Sequence, residues 1–179
     1  RAMDELTARP LQGLPQLIFN PFISPDGDWV GFSDEADGSI KKVSILGGPA
    51  VRICVTGAGT AGLDGASWGD DGTIVFATNV LSGLWRVPAG GGTPKEITKL
   101  GPGQTNHVWP EMLPGSHAVL FTILNGPAAE NAQVAVLNLV TGEQKVLVPG
   151  ASYPRYSPTG HIVYGIGGTL RAVPFDVTR

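Results

Sequence analysis

Ile23-Ser24-Pro25-Asp26-Gly27 runs into Trp29-Val30-Gly31-Phe32, and this stretch decides the fold because it returns. Gly69-Asp70-Asp71-Gly72, Leu113-Pro114-Gly115-Ser116 and Ser157-Pro158-Thr159-Gly160 stand in the same place, with closing residues 45, 44 and 44 positions apart. A large apolar residue precedes each turn (Ile23, Trp68, Met112, Tyr156), and two positions further back stand Pro21, Ala66, Pro110 and Pro154. Pro presets φ at the second turn position and Gly supplies positive φ, so each unit reads as a tight reversal.

Each turn leads into a strand-like run at residues 29–32, 74–76, 119–121 and 162–164, then a second at 40–46, 84–88, 132–139 and 170–175. A third run, at residues 50–56, 95–100 and 143–149, completes the first three periods. All have the length of ordinary strands. Short strands joined by hairpins with a period near 44 are the signature of β-propeller blades. The spacing therefore predicts an all-β propeller domain over residues 1–179, of about four four-stranded antiparallel blades, with periods at 14–59, 60–103, 104–151 and 152–179. A β-sandwich would repeat strands without placing one turn four times in register.

With the strand that precedes each turn counted as the first, the fourth period contains only three strand-like runs where the others have four. Leu6-Thr7-Ala8-Arg9-Pro10-Leu11, within residues 1–13, is expected to complete it, since an outermost strand tolerates Pro on its unpaired edge. Loop closure would cost about 4–5 kcal/mol, which burial of Leu6 and Leu11 at about 1.5–3 kcal/mol each would offset. Three arrangements stay open: a closed small ring, half of an oligomeric ring, or a fragment of a larger propeller. An open arc exposes apolar blade faces, so the chain is expected to self-associate.

Composition narrows the function. Of 179 residues, 26 are Gly and 15 Pro, yet 42% are hydrophobic and 15% charged, which excludes long helices and also a disordered linker. A net charge of −3 and a single basic pair, Lys41-Lys42, argue against a nucleic-acid partner. The longest apolar run, residues 118–124, is far below the roughly 20 residues a helix needs to cross a bilayer, so no membrane insertion is expected. Cys54 is alone, which rules out an internal disulfide.

Several blocks resemble one known family. Arg1-Ala2-Met3-Asp4-Glu5-Leu6, residues 24–32, Ile40-Lys41-Lys42-Val43, Gly65-Ala66-Ser67-Trp68-Gly69, Gly83-Leu84-Trp85-Arg86-Val87-Pro88 and His107-Val108-Trp109-Pro110 look like TolB-type, WD40-like propeller repeats. They are most similar to the propeller that follows the kinase domain in many bacterial serine/threonine protein kinases. Pro114-Gly115-Ser116 departs from the Asp-Gly pattern, and the short fourth period suggests an excised or truncated piece. The resemblance implies an interaction or sensing module in an extracytoplasmic setting, with a protein or peptide partner and no catalysis.

Three motifs belong to the repeat rather than to chemistry. Gly57-Ala58-Gly59-Thr60-Ala61-Gly62 matches G-x-G-x-x-G, but a dinucleotide site needs a helix next, and a strand and turn follow. Ser67 matches the hydrolase elbow G-x-S-x-G, yet it lies in the first strand of a blade. Asp26-Gly27-Asp28 and residues 34–38 are oxygen-rich without the spacing of a calcium loop. His107, His117 and His161 are too scattered for a metal, and His107 is expected to hydrogen-bond within its blade.

The first strand of a blade lines the central channel. Its variable position holds Phe22, Ser67, Glu111 and Arg155, with Glu111 expected to pair with Arg155. The rim of loops between blades and between second and third strands carries Asn79, Gln104, Asn106, Asn125 and Glu130. These nine are the candidate partner-binding residues, with no catalytic residue, cofactor or metal assigned. The rival reading is a propeller-channel enzyme acting on glycans, which requires paired carboxylates at the channel mouth. A small-ligand sensor domain of a membrane kinase is the third.

Overall fold

A computed structural model of the chain describes residues 10–15, 17–56 and 62–177. The first sheet is an antiparallel meander of β1 (Ile18–Ile23), β2 (Trp29–Asp34), β3 (Ser39–Ser44) and β4 (Val51–Val55). The second contains β5 (Leu63–Trp68), β6 (Thr73–Thr78), β7 (Trp85–Pro88) and β8 (Lys95–Glu96), and the third β9 (Asn106–Met112), β10 (Ala118–Leu124), β11 (Gln133–Asn138) and β12 (Gln144–Pro149). The fourth has three strands, β13 (Ser152–Ser157), β14 (His161–Ile166) and β15 (Thr169–Pro174). Among the described residues the only helix is the single 3-10 turn Ala129–Asn131, and none is long and apolar enough to cross a membrane.

The sheets stack radially, each face against the next, with β1 packed on β5, β5 on β9 and β9 on β13. Alternation along the strands makes this possible: Ile74 and Phe76 face the first sheet, while Val75 and Ala77 face the third. Leu120 turns to Ile162 of the fourth sheet, and Val119 and Phe121 turn to the second. The central strands β6 and β10 are thus apolar on both sides, as burial on both faces requires. Burying such side chains contributes about 1.5–3 kcal/mol apiece.

The anticipated turns are present. Ser24 Oγ accepts the Trp29 N–H at 2.9 Å, and the Gly27 N–H closes onto the Ser24 carbonyl at 2.9 Å. Gly72, Ser116 and Gly160 close their own turns onto Gly69, Leu113 and Ser157 in the same way. Lys42 Nζ sits 4.7 Å from the Trp29 ring and 5.8 Å from that of Trp68, clamping the first sheet to the second.

One expectation changes, and another falls largely outside the described residues. The run at 95–100 shrinks to Lys95–Glu96, because Ile97 and Thr98 both direct their N–H to the Leu84 carbonyl and the Thr98 hydroxyl takes the Leu84 N–H, so the ladder ends there. The amino-terminal strand falls, for residues 6–9, outside the described residues. Its described part is not strand, and residues 12–15 lie beside Asp34, Lys41 and Gly48-Pro49-Ala50 of the first sheet rather than at the fourth. Among the described residues, face packing does not close a ring: the face of the fourth sheet turned away from the third stays open, with Leu170 80% exposed.

Phe22 tests this packing directly. Its ring lies over Gly31 of the neighbouring strand, where an added Cβ would meet Phe22 Cζ at 2.3 Å. Gly31→Ala is expected to cost about 1–3 kcal/mol by forcing the ring from its place between sheets. Gly90→Ala, with nothing within 4 Å of the added carbon, should change stability by less than about 0.5 kcal/mol. Urea unfolding midpoints of the two variants measure the contrast.

Candidate functional site

The inner strand of each sheet breaks its register once, between Phe19 and Phe22, Leu63 and Ala66, Val108 and Glu111, and Ser152 and Arg155. Each bulge holds one residue with positive φ, at repeat-equivalent positions: Asn20 (48°), Gly65 (108°), Trp109 (52°) and Tyr153 (55°). Bulges re-aim the following side chains, and here they turn the next residues inward. Three of the four are followed by Pro, which cannot donate to the ladder.

The bulges also join sheet to sheet. Asn20 Nδ2 donates to the Leu63 carbonyl. A Cβ on Gly65 would lie 3.0 Å from Trp109 Cα, so the smallest residue sits where two backbones meet. The Trp109 and Tyr153 rings stack at 3.5 Å and 17°.

Beyond the bulges, all four variable channel positions reach one open cavity of about 590 Å³ at the turn end of the channel. Arg155 Nη1 donates to Glu111 Oε2 at 3.0 Å, linking fourth sheet to third. Burial raises the Glu111 carboxyl above its ordinary range, and the charge of Arg155 pulls it partly back. Ser67, within strand β5, accepts the Met112 N–H on its Oγ at 2.9 Å, so this hydroxyl forms a strut between sheets. Phe22 is 8% exposed and packs tilted against Trp68 at 6.1 Å, which makes it core with only an edge at the cavity. Asp70 Oδ2, also at the mouth, accepts the Gly115 N–H at 3.0 Å.

The rim residues are not gathered into one site. Asn106 is buried, taking the Ser82 N–H at 3.0 Å and donating to the Thr78 carbonyl at 3.3 Å. Asn125 Nδ2 donates to the Asn131 carbonyl at 2.6 Å and shapes its own loop. Asn79 lines a shallow pocket with Val80, Leu81 and Leu124, whereas Glu130 lines another beside Gly150 and Leu170.

Gln104 belongs to a buried relay between second and third sheets. The Thr98 hydroxyl accepts the Leu84 N–H at 2.7 Å, so its own hydrogen goes to His107 Nδ1 at 2.7 Å. That assigns the proton to Nε2, which donates to Gln104 Oε1 at 3.0 Å, itself holding the Gly101 N–H at 2.7 Å. The ring lies over Phe121 at 5.0 Å. His107 is therefore structural, and burial lowers its pKa to about 4.

The acidic stretches are satisfied internally. Lys41 Nζ lies 2.5 Å from Asp34 and 2.9 Å from Asp37, and Arg52 is 3.0 Å from Asp37. Hydrogen bonds from Ser39, Lys41 and Arg52 hold Asp37 at about 2. Among the described residues no group of three His, Cys, Asp or Glu could hold a metal ion. Cys54 is buried, and desolvation raises its thiol to about 11. Residues 57–61 of the glycine motif lie outside the described residues, and the next element, β5, is a strand.

No family model and no curated protein matches the sequence. Solved structures do. A TolB-type protein from Agrobacterium tumefaciens superposes at TM-score 0.71 with 20% identity, over 89% of this chain and 58% of that one. The fold is that of a TolB-like β-propeller. A chain of the nidogen/laminin complex matches at TM-score 0.70 and 15% identity, over 87% and 60%. An oligogalacturonate lyase from Vibrio parahaemolyticus matches at 0.67 and 15%, over 87% and 49%. The chain thus spans about half to three-fifths of the length of these propellers.

The His107 relay generates a pH prediction. The unfolded imidazole titrates near 6.5 and the folded one near 4, so the unfolded state binds more protons in that window. Stability contributed by neutral His107 is complete above pH 6.5 and is lost as pH falls toward 4, by about 3 kcal/mol in all. Urea midpoints should fall across this window in the native chain. In His107→Asn, less stable at pH 7, they should fall by markedly less.

Proposed function

We propose that the chain is a non-enzymatic binding module that takes a protein or peptide segment at the turn-end mouth of its channel. The observation carrying this reading is the state of the polar groups there. Glu111 is engaged by Arg155, Ser67 by Met112 and Asp70 by Gly115, while Ile23 is 64% exposed beside Pro25 and Pro114. A proline-edged mouth that exposes Ile23 beside one ion pair suits a chain with an apolar side chain and a charged neighbour. Channel enzymes acting on glycans need two carboxylates at work about 5–10 Å apart. The two carboxylates that line the cavity are both engaged, Glu111 by the Arg155 guanidinium and Asp70 by the Gly115 N–H. The blocks resembling propellers that follow bacterial kinase domains support an interaction or sensing role, and the nidogen/laminin complex contains a related propeller-like fold in a protein assembly.

Peptides selected from a display library on the intact chain test this. Their binding should weaken at least tenfold in Ile23→Asp, and it should respond to Arg155→Ala, with both variants retaining the native circular dichroism. Turnover of oligogalacturonate that disappears in Glu111→Gln would overturn the reading in favour of catalysis.

A further inference from the structure

The cations of the first sheet and of the channel are answered. Lys41 and Arg52 meet Asp34 and Asp37, Arg155 meets Glu111, and Lys42 lies against Trp29 and Trp68. Arg86 and Lys95 are not: neither has an ion pair or a side-chain hydrogen bond among the described residues. Yet they stand directly opposite each other in the short β7–β8 ladder, where like charges repel. Strand alternation puts both on one side of the second sheet, that of Val75, which partners Arg86 on β6. Glu96 does not neutralise them, because it pairs with Trp85 on the other side, against the core shared with the first sheet. Asp71 does not either, since its two oxygens take the N–H and the hydroxyl of Thr73, each at 2.9 Å.

The two side chains share a concave place. With Thr73, Pro88, Gly92 and Thr93 they line a cavity of about 400 Å³, built from the second sheet and its β7–β8 loop alone. That lies within the range of small-molecule sites, roughly 300–1,000 Å³. No carboxylate lines it. The loop that walls it is held in place: the Gly91 N–H closes onto the Pro88 carbonyl at 2.9 Å, and the Gly92 N–H reaches the Ile53 carbonyl of the first sheet at 3.2 Å. The Thr93 hydroxyl has no partner among the described residues. A guanidinium, an ammonium and a hydroxyl thus meet at one cavity as donors with nothing to receive their hydrogens.

We propose that this cavity binds the phosphate group of a small phosphate monoester, with Arg86 and Lys95 as its two cationic contacts and Thr93 as a neutral one. A phosphate monoester carries a charge near −2 and three strong acceptor oxygens, which matches two cations and no acid. A carboxylate would leave one cation unanswered. The planar fork of Arg86 suits two phosphate oxygens at once, and Lys95 supplies a point charge for a third. The volume beside Pro88 and Gly92 takes the organic part. In a chain of net charge −3, the bound anion also relieves the only described cross-strand pair of like charges.

Amide NMR titration of the intact chain with inorganic phosphate, glucose 6-phosphate, phosphoserine and, as the carboxylate reference, glutamate decides the matter. The three phosphate probes are expected to shift the amides of Arg86, Thr93 and Lys95 and to saturate by about 10 mM, with at least one ester binding more tightly than inorganic phosphate. The tighter of the two esters tells a sugar phosphate from a phosphorylated amino acid. Affinity should fall between pH 7.5 and 5, as the phosphate gains its second proton. Arg86→Gln and Lys95→Gln, at exposed positions, should each weaken binding at least fivefold, whereas Lys99→Gln, exposed and outside the cavity, should leave it unchanged. No saturable shift at these amides in the native chain, an equal response to glutamate, or binding that survives Lys95→Gln would each overturn the proposal. These outcomes are independent of peptide binding at the channel mouth.

Discussion

A β-sheet whose central strands are apolar on both faces cannot stand alone in water, and the rest of this molecule follows from that constraint. Val75 with Ala77 on one side of β6, and Ile74 with Phe76 on the other, oblige the second sheet to have two neighbours. The same holds for β10 through Leu120, Val119 and Phe121. Sheets twist, so a series of them stacked face to face turns about an axis, and their inner strands converge on a channel. The architecture is an outcome of two-sided hydrophobicity repeated at a fixed interval.

Convergence brings its own difficulty, because the inner strands crowd as they approach the axis. The bulges at Asn20, Gly65, Trp109 and Tyr153 answer it. A positive φ at a Trp or Tyr is uncommon, and it persists here because each bulge is held by the next: Asn20 by the Leu63 carbonyl, Gly65 by Trp109, Trp109 by Tyr153. The polar struts of the channel follow the same logic. Ser67, Asp70 and Glu111 each reach across to the neighbouring sheet, so side chains that look chemically inviting are spent on assembly. At the mouth Ile23 stays exposed beside Pro25 and Pro114.

The fold was legible because its determinants are local and periodic. Turn residues every 44 or 45 positions and alternating strands need no knowledge of distant contacts. The Glu111–Arg155 pair and the structural role of His107 could be read as well, from repeat alignment and from the scatter of the histidines. The bulge residues were missed, although Asn20-Pro21, Trp109-Pro110 and Tyr153-Pro154 marked them, since a Pro inside a strand signals a broken ladder. The burial of Phe22 was missed because it depends on Gly31, across the strand. Asn106 and Gln104 could not be separated from exposed rim residues by type alone: an amide that caps a loop and one that greets a ligand are the same in sequence. The shortened β8 reflects the bonds that Ile97 and Thr98 make to Leu84, which only the folded chain reveals.

If coverage of both faces sets the stability of each sheet, hydrogen exchange of the native chain should display a gradient. Amides in β6 and β10 are expected to exchange most slowly, and those in β14 and β15 fastest. Uniform protection across the four sheets, or slowest exchange in the fourth, would contradict the account.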